Sequence, residues 1–438
     1  MQILIEKIVY PGKSLSTVGG KVVFTDEGLP GELVEIIPIK EKKNYIQAKT
    51  IKILKKSAHR VESCCPHYKA CSPYQYIDYP FQVEIKKSQL QEIFRHDLKI
   101  ELANIEITPS TKIWGYRNKV HLHLIREKDG LHLAYHQTGM REEFAKIKEC
   151  FLISEKMNAL LASLLRIIEE KKLDGIEEVA VKESVSSGEM LLILYLNPQN
   201  EIGNITSSLA RLKEKFPIKG LVGLIRTKKA MKETILEGKN FIEEKAADLV
   251  FRIGPQSFFQ INTDLLEEVI KDMKKIIPLG GKERIADLYC GLGTFGITLA
   301  SKVQEVFGVE SSPENIVFLK KNLALNRIGN FTACEGTSEE WIDWILNKKI
   351  DVLIVDPPRR GMSSAILKAI LKKPVPLIIY ISCNPSTLVR DLKQMFPAYS
   401  LKDIHIYDFF PHTPHLETCS ILQRGRSINA GISIAPSK

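Results

Sequence analysis

The sequence predicts a multidomain α/β protein in which a C-terminal Rossmann-like domain follows an N-terminal β-barrel of the OB type and an α+β central domain. At 438 residues the chain is too long for one ordinary domain. Short strands separated by Gly and Pro turns dominate its start, whereas short apolar runs alternate with helix-like segments from about residue 251. The first pattern is typical of a small barrel and the second of a doubly wound parallel sheet.

Residues 1–57 are predicted to form the barrel. The runs QILIEKIVY, GGKVVFTDEGLPGELVEII and YIQAKTIKIL are short strands with tight turns between them. Lysines here are interleaved with Tyr10, Phe24 and Tyr45, which indicates either a nucleic-acid-binding surface or a solvated basic face over core aromatics. The net charge of +10 and the pI near 9.0 also favour a polyanionic partner.

The composition further predicts a cytoplasmic protein with reduced thiols and no membrane contact. No apolar stretch approaches the roughly 18 residues that a membrane span needs. The first residues contain no apolar run followed by a small-residue cleavage site. Eight cysteines in a chain of this length do not indicate a disulfide framework.

Residues 58–250 are predicted to be the α+β central domain. It begins with a Cys-rich loop, CCPHYKACSPYQY, which leads into a helix, YPFQVEIKKSQLQEIFRHDL. A hairpin is predicted to turn at Asp129-Gly130. The run SEKMNALLASLLRIIEEKKL has helical periodicity, and MLLILYL reads as a buried strand.

Residues 251–423 are predicted to be the doubly wound domain. The runs RIADLYC, EVFGVE, DVLIVD and PLIIYISC are short and apolar throughout, as buried parallel strands are. Ser312-Pro313 and Gly329 mark the start and end of one connecting helix. Ligands of such sheets bind at the carboxyl ends of the strands. Residues 424–438 are predicted to be a flexible tail.

A glycine-rich loop indicates a nucleotide-like ligand. DLYCGLGTFG contains Gly291, Gly293 and Gly296 between a strand and a helix, and Glu310 ends the next strand about 20 residues on. An NAD site and an S-adenosylmethionine site both fit this pattern. The stretch DVLIVDPPRRG favours the S-adenosylmethionine site. An acid followed by Pro-Pro is typical of methyltransferases, where the acid faces substrate and methyl donor. The alternative for Asp356 is a turn-capping residue.

The stretch YISCNPSTLVRD places Cys383 at the carboxyl end of a strand among polar turn residues. A buried structural cysteine is the alternative, but the polar flanks favour a nucleophile. A nearby cation would stabilise its thiolate, and Arg359, Arg360 and Arg390 are candidates.

A thiol beside a methyl donor indicates chemistry on a pyrimidine. Addition of a thiolate at carbon 6 makes carbon 5 nucleophilic, and after methyl transfer a base must remove the carbon 5 proton. DFFPHTPHLETCS offers Glu417 as that base, together with His412 and His415. The His-x-x-His spacing does not predict a metal site, because Pro414 disfavours a helix that presents both rings.

With these motifs in their order, the chain resembles the RNA uracil-5 methyltransferase family, and within it the 23S ribosomal RNA branch that carries an N-terminal TRAM domain. The motifs are FRIGPQSFFQIN, DLYCGLGTFG, DVLIVDPPRRG, YISCNPSTLVRD and DFFPHTPHLET. The resemblance covers nearly the whole chain to about residue 423. It implies a class I methyltransferase domain, with Cys383 as the nucleophile and Glu417 as the proton acceptor.

The resemblance also implies the residues that contact S-adenosylmethionine: Gln260, Tyr289, Thr294, Glu310, Thr337 and Asp356. Tyr289 stands where the family often has Phe, and Thr294 where it often has Asn. Phe258 and Phe259 would lie beside the cofactor and the target base. Tyr116 to Lys119 matches a stretch expected to face RNA, with an exposed hairpin edge as the alternative.

Many relatives bind an iron–sulfur cluster through C-x5-C-x2-C and a distant fourth cysteine. Here the pattern reads Cys65 and Cys71, then Tyr74 in the third position, with Cys150 as the distant residue. Because such a cluster usually requires four thiolates, we expect the loop to pack without iron, so a metal is not favoured.

The resemblance therefore implies methylation of carbon 5 of a specific uridine in 23S ribosomal RNA by a cytoplasmic monomer that binds RNA. Transfer RNA is an alternative substrate. A cytosine-5 enzyme is another, although that chemistry usually shows a second cysteine after Asp-Pro-Pro, where Arg359 stands. A non-catalytic RNA-binding factor is the alternative from another class.

Overall fold

The computed structural model describes residues 1–136, 143–198, 202–227, 231–425 and 433–434. The chain has the mixed α/β architecture that the sequence predicts, with an N-terminal sheet, a middle sheet and a C-terminal sheet. Within the described ranges, no helix is both long and apolar enough to cross a bilayer.

The N-terminal sheet is curled around a small apolar core. Its strands are β1 (Gln2–Leu4), β2 (Lys7–Val9), β3 (Lys13–Val18), β4 (Lys21–Thr25), β5 (Leu33–Glu41) and β6 (Tyr45–Lys55). They are ordered β1-β5-β6-β4-β3-β2, and all neighbours are antiparallel except β4 and β6. Ile3, Ile5, Val23, Val34 and Ile36 fill the inside because alternate residues of a strand point to one face.

The segment after this sheet packs on the C-terminal part of the chain. It contains α1 (Tyr68–Cys71), α2 (Tyr79–Ile93), a π-helix (Phe94–Leu98), β7 (Ile100–Glu101) and β8 (Glu106–Thr108). The predicted helix is thus an α-helix that ends in one π-helical turn. Asp78 begins α2 by accepting a hydrogen bond from Phe81 N.

The middle sheet carries helices on one face. Its strands are β9 (Lys119–Glu127), β10 (Gly130–His136), β11 (Phe144–Ile147), β12 (Ile176–Glu183), β13 (Met190–Leu196), β14 (Ile218–Arg226) and β15 (Met231–Gly238), ordered β11-β10-β9-β12-β13-β14-β15. Its helices are α3 (Glu155–Glu170), α4 (Ile202–Leu209) and α5 (Leu212–Lys215). β9 and β10 form the predicted hairpin, but its turn is Lys128-Asp129, one residue before the predicted Asp129-Gly130, because Gly130 already pairs with Glu127. Met157, Leu160, Leu161, Leu164 and Ile168 recur at helical spacing and attach α3 to the sheet.

The C-terminal sheet is doubly wound with antiparallel strands at one side. After the hairpin β16 (Ile242–Ala246) and β17 (Leu249–Ile253) come α6 (Thr263–Ile276), β18 (Arg284–Leu288), α7 (Thr294–Ala300), β19 (Glu305–Glu310), α8 (Pro313–Leu325), β20 (Phe331–Glu335), α9 (Ser338–Leu346), β21 (Val352–Val355), α10 (Ser364–Lys372), β22 (Leu377–Ser382), α11 (Pro385–Met395), β23 (Tyr399–Tyr407) and β24 (Glu417–Arg424). The order is β20-β19-β18-β21-β22-β24-β23-β8, with β18 to β22 parallel and β24 antiparallel to both neighbours.

Two segments from the range predicted for the central domain belong to the C-terminal core. β8 pairs in parallel with β23 at the edge of the C-terminal sheet. Ile242 and Phe251 of the β16–β17 hairpin are buried in the same cluster as Ile285 and Ile354. Of the predicted tail, residues 426–432 and 435–438 lie outside the described residues, and β25 (Ser433–Ile434) pairs with β7.

Candidate active site

Three of the predicted site residues meet at the carboxyl edge of the C-terminal sheet. Asp356 directly follows β21, Cys383 directly follows β22, and Glu417 is the first residue of β24. Because β22 and β24 are antiparallel and Ser382 lies opposite Thr418, Cys383 and Glu417 face each other where the ladder ends. The pairing of β21 with β22 brings Asp356 to the same place.

Burial sets the electrostatics of these groups. Glu417 is only 4% exposed, and burial raises its pKa, as does the neighbouring Asp356. Burial also raises the pKa of Asp356 to about 7. The pKa of the Cys383 thiol rises to about 11 through burial and the charges of Glu417 and Asp356, which the Arg359 guanidinium partly offsets. The free protein therefore holds a protonated thiol beside two carboxyl groups that bind protons unusually well.

The three arginines named as candidate partners of the thiol have different contacts. Arg359 is the one whose charge lowers the pKa of Cys383, and its Nη2 lies 3.4 Å from His415 Nε2. Arg390 instead forms an ion pair with Asp391, at 2.6 Å between Nη2 and Oδ1, and donates hydrogen bonds to the carbonyl oxygens of Arg360 and Met362. Its role is to shape the loop after Asp356.

The glycine-rich loop lies at the same edge of the sheet and is tied to Glu310. The Glu310 carboxylate accepts hydrogen bonds from Gly291 N at 2.9 Å and from Ser312 N at 2.6 Å. Tyr289 has a φ of +63°, a strained conformation for a residue that is not glycine. Asp287 is buried below the loop, accepts a hydrogen bond from Gly296 N, and burial raises its pKa to about 7.

The remaining predicted cofactor residues flank this loop. Thr294 is the first residue of α7, immediately after the loop. Thr337 caps α9, and its hydroxyl and backbone N–H both contact the Glu340 carboxylate. Burial and the nearby Glu339 charge raise the pKa of Tyr289 to about 12. The structure thus places both threonines and Tyr289 around the strand ends that hold Asp356 and Glu310.

Gln260 lies on a loop between β17 and α6 that other parts of the chain fix in place. Asn118 Nδ2 donates to Gln260 O at 2.8 Å. The buried Lys182 ammonium donates to the carbonyl oxygens of Gly254 and Ser257. Glu314 accepts from the backbone of this loop on its other side. Gln260 is consequently buried.

At the apex of the same loop, the Phe258 side chain is 60% exposed. Most phenylalanine side chains of a folded domain are buried. The hydrogen bonds that fix the loop therefore hold an aromatic ring in solvent beside the site.

Sequence reasoning missed Lys182 and Glu314, and it misplaced part of Tyr116 to Lys119. Lys182 stands in the run VAVKE, where a single lysine reads as an ordinary solvent-facing residue. Tyr116 and Asn118 are buried, and Tyr116 Oη donates to Pro411 O at 3.1 Å. These two residues support the loops of the site, so neither an RNA-facing surface nor an exposed hairpin edge describes them.

The segment between β23 and β24 is held by the polar face of α2. Lys86 Nζ lies 2.5 Å from Asp408 Oδ1 with both side chains fully buried, and it also donates to Phe410 O at 3.0 Å. Gln82 Oε1 accepts from His412 N at 2.8 Å. Because this segment leads directly into Glu417, α2 determines where the carboxylate of Glu417 lies.

The two histidines of this segment are neutral near pH 7. Burial lowers the pKa of His412 and of His415 to about 4. The His412 ring stacks on Trp114 with centroids 3.8 Å apart, and its Nδ1 lies 3.1 Å from Gln82 Nε2. These contacts give His412 a structural role.

The Cys-rich loop brings three thiols near one another. Burial raises the pKa of Cys65 to about 11, and the proximity of Cys71 and Cys150 contributes. Tyr74 is buried and its Oη accepts from Gln89 Nε2 at 2.9 Å. In the part of the chain that the structure describes, no three metal-binding side chains are arranged to hold an ion. That the loop packs without iron stays a prediction.

Comparisons with known proteins agree on one family. The model of the tRNA (uracil-5-)-methyltransferase family matches residues 78–425. An RNA methyltransferase of Halalkalibacterium halodurans is 28% identical over 444 residues, which cover 97% of this chain and 96% of the relative. Another from Listeria innocua is 31% identical over 439 residues, covering 94% and 95%.

A solved structure shares the whole architecture. The crystal structure of the Pyrococcus abyssi tRNA (uracil-54, C5)-methyltransferase in complex with S-adenosyl-L-homocysteine is similar with a TM-score of 0.75. Its sequence is 26% identical, and the match covers 96% of this chain and 100% of that chain. The N-terminal sheet, which lies outside the matched family model, is therefore within the structural match.

Replacing Lys86 by Met should lower the free energy of unfolding by about 3–5 kcal/mol, because it leaves the buried Asp408 charge without its partner. Urea unfolding measures the loss, and Lys87→Met, at the partly exposed neighbouring position, is the matched control. The double variant Lys86→Met/Asp408→Leu should recover much of the stability. A double variant no more stable than Lys86→Met would show that the unpaired charge is not the cause.

Proposed function

Because the chain belongs to the tRNA (uracil-5-)-methyltransferase family, we propose that it methylates carbon 5 of a specific uridine in RNA through covalent attack by Cys383. The observation that supports this most directly is the strand register that sets Cys383 opposite Glu417, with Asp356 beside them. A thiol nucleophile and a carboxylate base at one edge of the sheet are the two groups that the reaction needs.

The loops at the sheet edge fit S-adenosylmethionine as the methyl donor. A Cβ at Gly291 would meet no atom within 4 Å, so the loop backbone is open to a ligand there. The neighbour from Pyrococcus abyssi was solved with S-adenosyl-L-homocysteine, which supports the same class of ligand. Six residues are assigned to donor binding: Gln260, Tyr289, Thr294, Glu310, Thr337 and Asp356. When bound, the donor supplies the methyl group as an electrophile.

Cys383 activates the base and Glu417 releases the product. The Cys383 thiolate forms a bond to carbon 6 of the uracil, and the electron pair of the carbon 5–carbon 6 double bond moves toward oxygen 4. Carbon 5 of this enolate is then nucleophilic and takes the methyl group from the donor's sulfonium, so that the methyl–sulfur bond breaks and the neutral thioether S-adenosylhomocysteine leaves. The Glu417 carboxylate removes the carbon 5 proton, the double bond re-forms, and the bond to sulfur breaks. The thiolate is regenerated and the uncharged methylated base is released.

The raised pKa values match these roles. A carboxylate whose pKa is raised by burial is a stronger base than an exposed glutamate, which suits removal of a carbon-bound proton. The Cys383 thiol must lose its proton before it attacks, and Arg359 supplies the positive charge that favours the thiolate. The target base must also leave its stack, which costs a few kcal/mol that the surrounding RNA contacts offset.

We assign 23S ribosomal RNA as the first candidate substrate and transfer RNA as the second. The N-terminal sheet, taken as a TRAM barrel of residues 1–57, supports the first, because the ribosomal branch of the family carries that domain. The matched family model and the Pyrococcus abyssi neighbour are both named for transfer RNA, which favours transfer RNA as the substrate. The domains at 58–250 and 251–423, the monomeric state and the cytoplasmic location stay predictions.

Label from methyl-labelled S-adenosylmethionine should appear as 5-methyluridine at a discrete site of 23S ribosomal RNA when the purified chain is given unmodified ribosomal and transfer RNA. Mass spectrometry of nucleosides measures it. The control Cys383→Ala should transfer no label and still bind the donor, because the thiol is not assigned to donor binding. Label in 5-methylcytidine would overturn the uridine assignment, and label in transfer RNA alone would move the substrate to the second candidate.

The variant Glu417→Gln should accumulate a protein–RNA adduct that survives denaturation and carries the transferred methyl group, since nothing removes the carbon 5 proton. We expect turnover to fall by about 10²–10⁴-fold, the usual contribution of a general base. Denaturing gel electrophoresis with labelled donor detects the adduct. A variant that releases product at the normal rate would assign the base to another group.

Alkylation of Cys383 by iodoacetamide in the free protein should keep rising with pH beyond pH 9. A thiol whose pKa is raised to about 11 has little thiolate at neutral pH, and its thiolate fraction grows about tenfold per pH unit below that pKa. Mass spectrometry of the Cys383 peptide isolates its rate from that of the exposed Cys64. A rate that levels off near pH 8 would contradict the raised pKa.

A further inference from the structure

The turn between β2 and β3 of the N-terminal sheet reaches the candidate active site. This turn is Tyr10-Pro11-Gly12, closed by a hydrogen bond from Gly12 N to Val9 O at 2.7 Å. A Cβ at Gly12 would lie 3.0 Å from Pro414 Cβ and 3.2 Å from Tyr74 Cε1, and its φ is +91°. Glycine is required here because the turn presses against the segment that leads into Glu417.

This contact places the Tyr10 phenol near the catalytic pair. Tyr10 is half-buried, and burial raises the pKa of its hydroxyl. The charges of Cys383 and Glu417 also raise this pKa and the charge of Arg359 lowers it, which agrees with the contact that Gly12 makes with Pro414. The N-terminal sheet thus contributes an aromatic ring to the region around the thiol.

A groove connects this position to solvent. The groove has a volume of about 530 Å³, and Tyr10 and Ser386 line it together with Gln89 of α2. Ser386 lies three residues after Cys383. Lys7, Arg95 and Lys99 also line the groove, which suits a chain of phosphates.

The acidic side chains that line the groove do not prevent it from binding RNA phosphates. The two acids that line the groove are Glu92, which pairs with Lys7 at 2.7 Å, and Asp97, which lies 2.7 Å from His96. Arg95 pairs with Glu101, outside the lining, at 2.7 Å, and all of these side chains are about one-third exposed or more. Exposed ion pairs of this kind contribute little to stability. They can therefore exchange for contacts with RNA phosphates.

We propose that Tyr10 contacts the target nucleotide, so that the N-terminal sheet forms one wall of the active site and the groove receives the adjoining RNA strand. This inference rests on the proposed function. A phenol ring gives a pyrimidine an apolar and aromatic surface to pack on, and its hydroxyl can donate a hydrogen bond to the base or ribose. A nucleotide extruded toward Cys383 would lose stacking within the RNA, and Tyr10 offsets part of that loss.

The experiment compares Tyr10→Ala, Tyr10→Phe and Tyr68→Ala in the full chain. Tyr68 is the matched control, because it is a partly buried tyrosine that joins α1 to the N-terminal sheet through a 3.3 Å hydrogen bond with Glu27 and does not line the groove. kcat and KM are measured with the RNA that the wild type methylates, and donor affinity and thermal unfolding are measured alongside.

Tyr10→Ala should lose about 5- to 150-fold in kcat/KM for RNA, the range that one base–aromatic contact supports. Donor affinity should stay within twofold, and Tyr10→Phe should retain most of the activity because it keeps the ring. Tyr68→Ala should keep its kcat/KM even if its unfolding temperature falls. Equal kcat/KM losses in Tyr10→Ala and Tyr68→Ala would reduce Tyr10 to a docking contact and overturn the inference.

A photocrosslinking variant gives a second measurement that does not depend on the Ala variant folding. p-Benzoylphenylalanine at position 10 should crosslink to the target nucleotide or its immediate neighbour in the wild-type RNA substrate. Crosslinks confined to distant nucleotides, or unchanged kcat/KM in Tyr10→Ala, would overturn the inference while the methylation by the wild type stands. A wild type that methylates no RNA would instead overturn the proposed function.

Discussion

A fully buried ion pair between Lys86 and Asp408 is the constraint on which the geometry of the site depends. Burial lowers the pKa of Lys86, and the Asp408 carboxylate opposes that shift. The pair is tolerable only because each charge compensates the other and Phe410 O accepts a second hydrogen bond from the ammonium. Its geometric consequence is specific: α2 is locked to the segment that ends at Glu417.

Around that segment the chain gathers carboxyl groups, of which Asp287 and Glu417 are buried and Asp356 is partly exposed. Asp287, Asp356 and Glu417 all lie at or below one edge of the C-terminal sheet, and burial raises the pKa of each. Arg359 is a neighbouring cation that is exposed to solvent. A site of this kind favours proton transfer to carboxylates, and it favours a ligand that brings positive charge, as a sulfonium does.

The site is also an assembly of segments that are distant along the chain. The Gln260 loop is held by Lys182 from the middle sheet and by Glu314 from α8, while the turn at Gly12 meets Pro414. Such cross-connections join all three sheets near the candidate active site.

The sequence by itself predicted that Asp356 and Cys383 open into one cleft, and they do lie at one edge because the ends of neighbouring parallel strands converge there. Their roles and that of Glu417 stay predictions. The mixed α/β class and the hairpin of β9 and β10 followed from local patterns. The contacts of Lys86 and Lys182 and the position of the turn at Tyr10 were decided only by the tertiary structure, as was the addition of Glu106–Thr108 to the C-terminal sheet. Their partners lie tens to hundreds of residues away, and a lysine that will be buried has the same local pattern as one that will face solvent. The spacing of apolar residues along the sequence predicts which face of a helix or strand is buried. The partner of a buried polar group depends instead on how the helices and strands pack together.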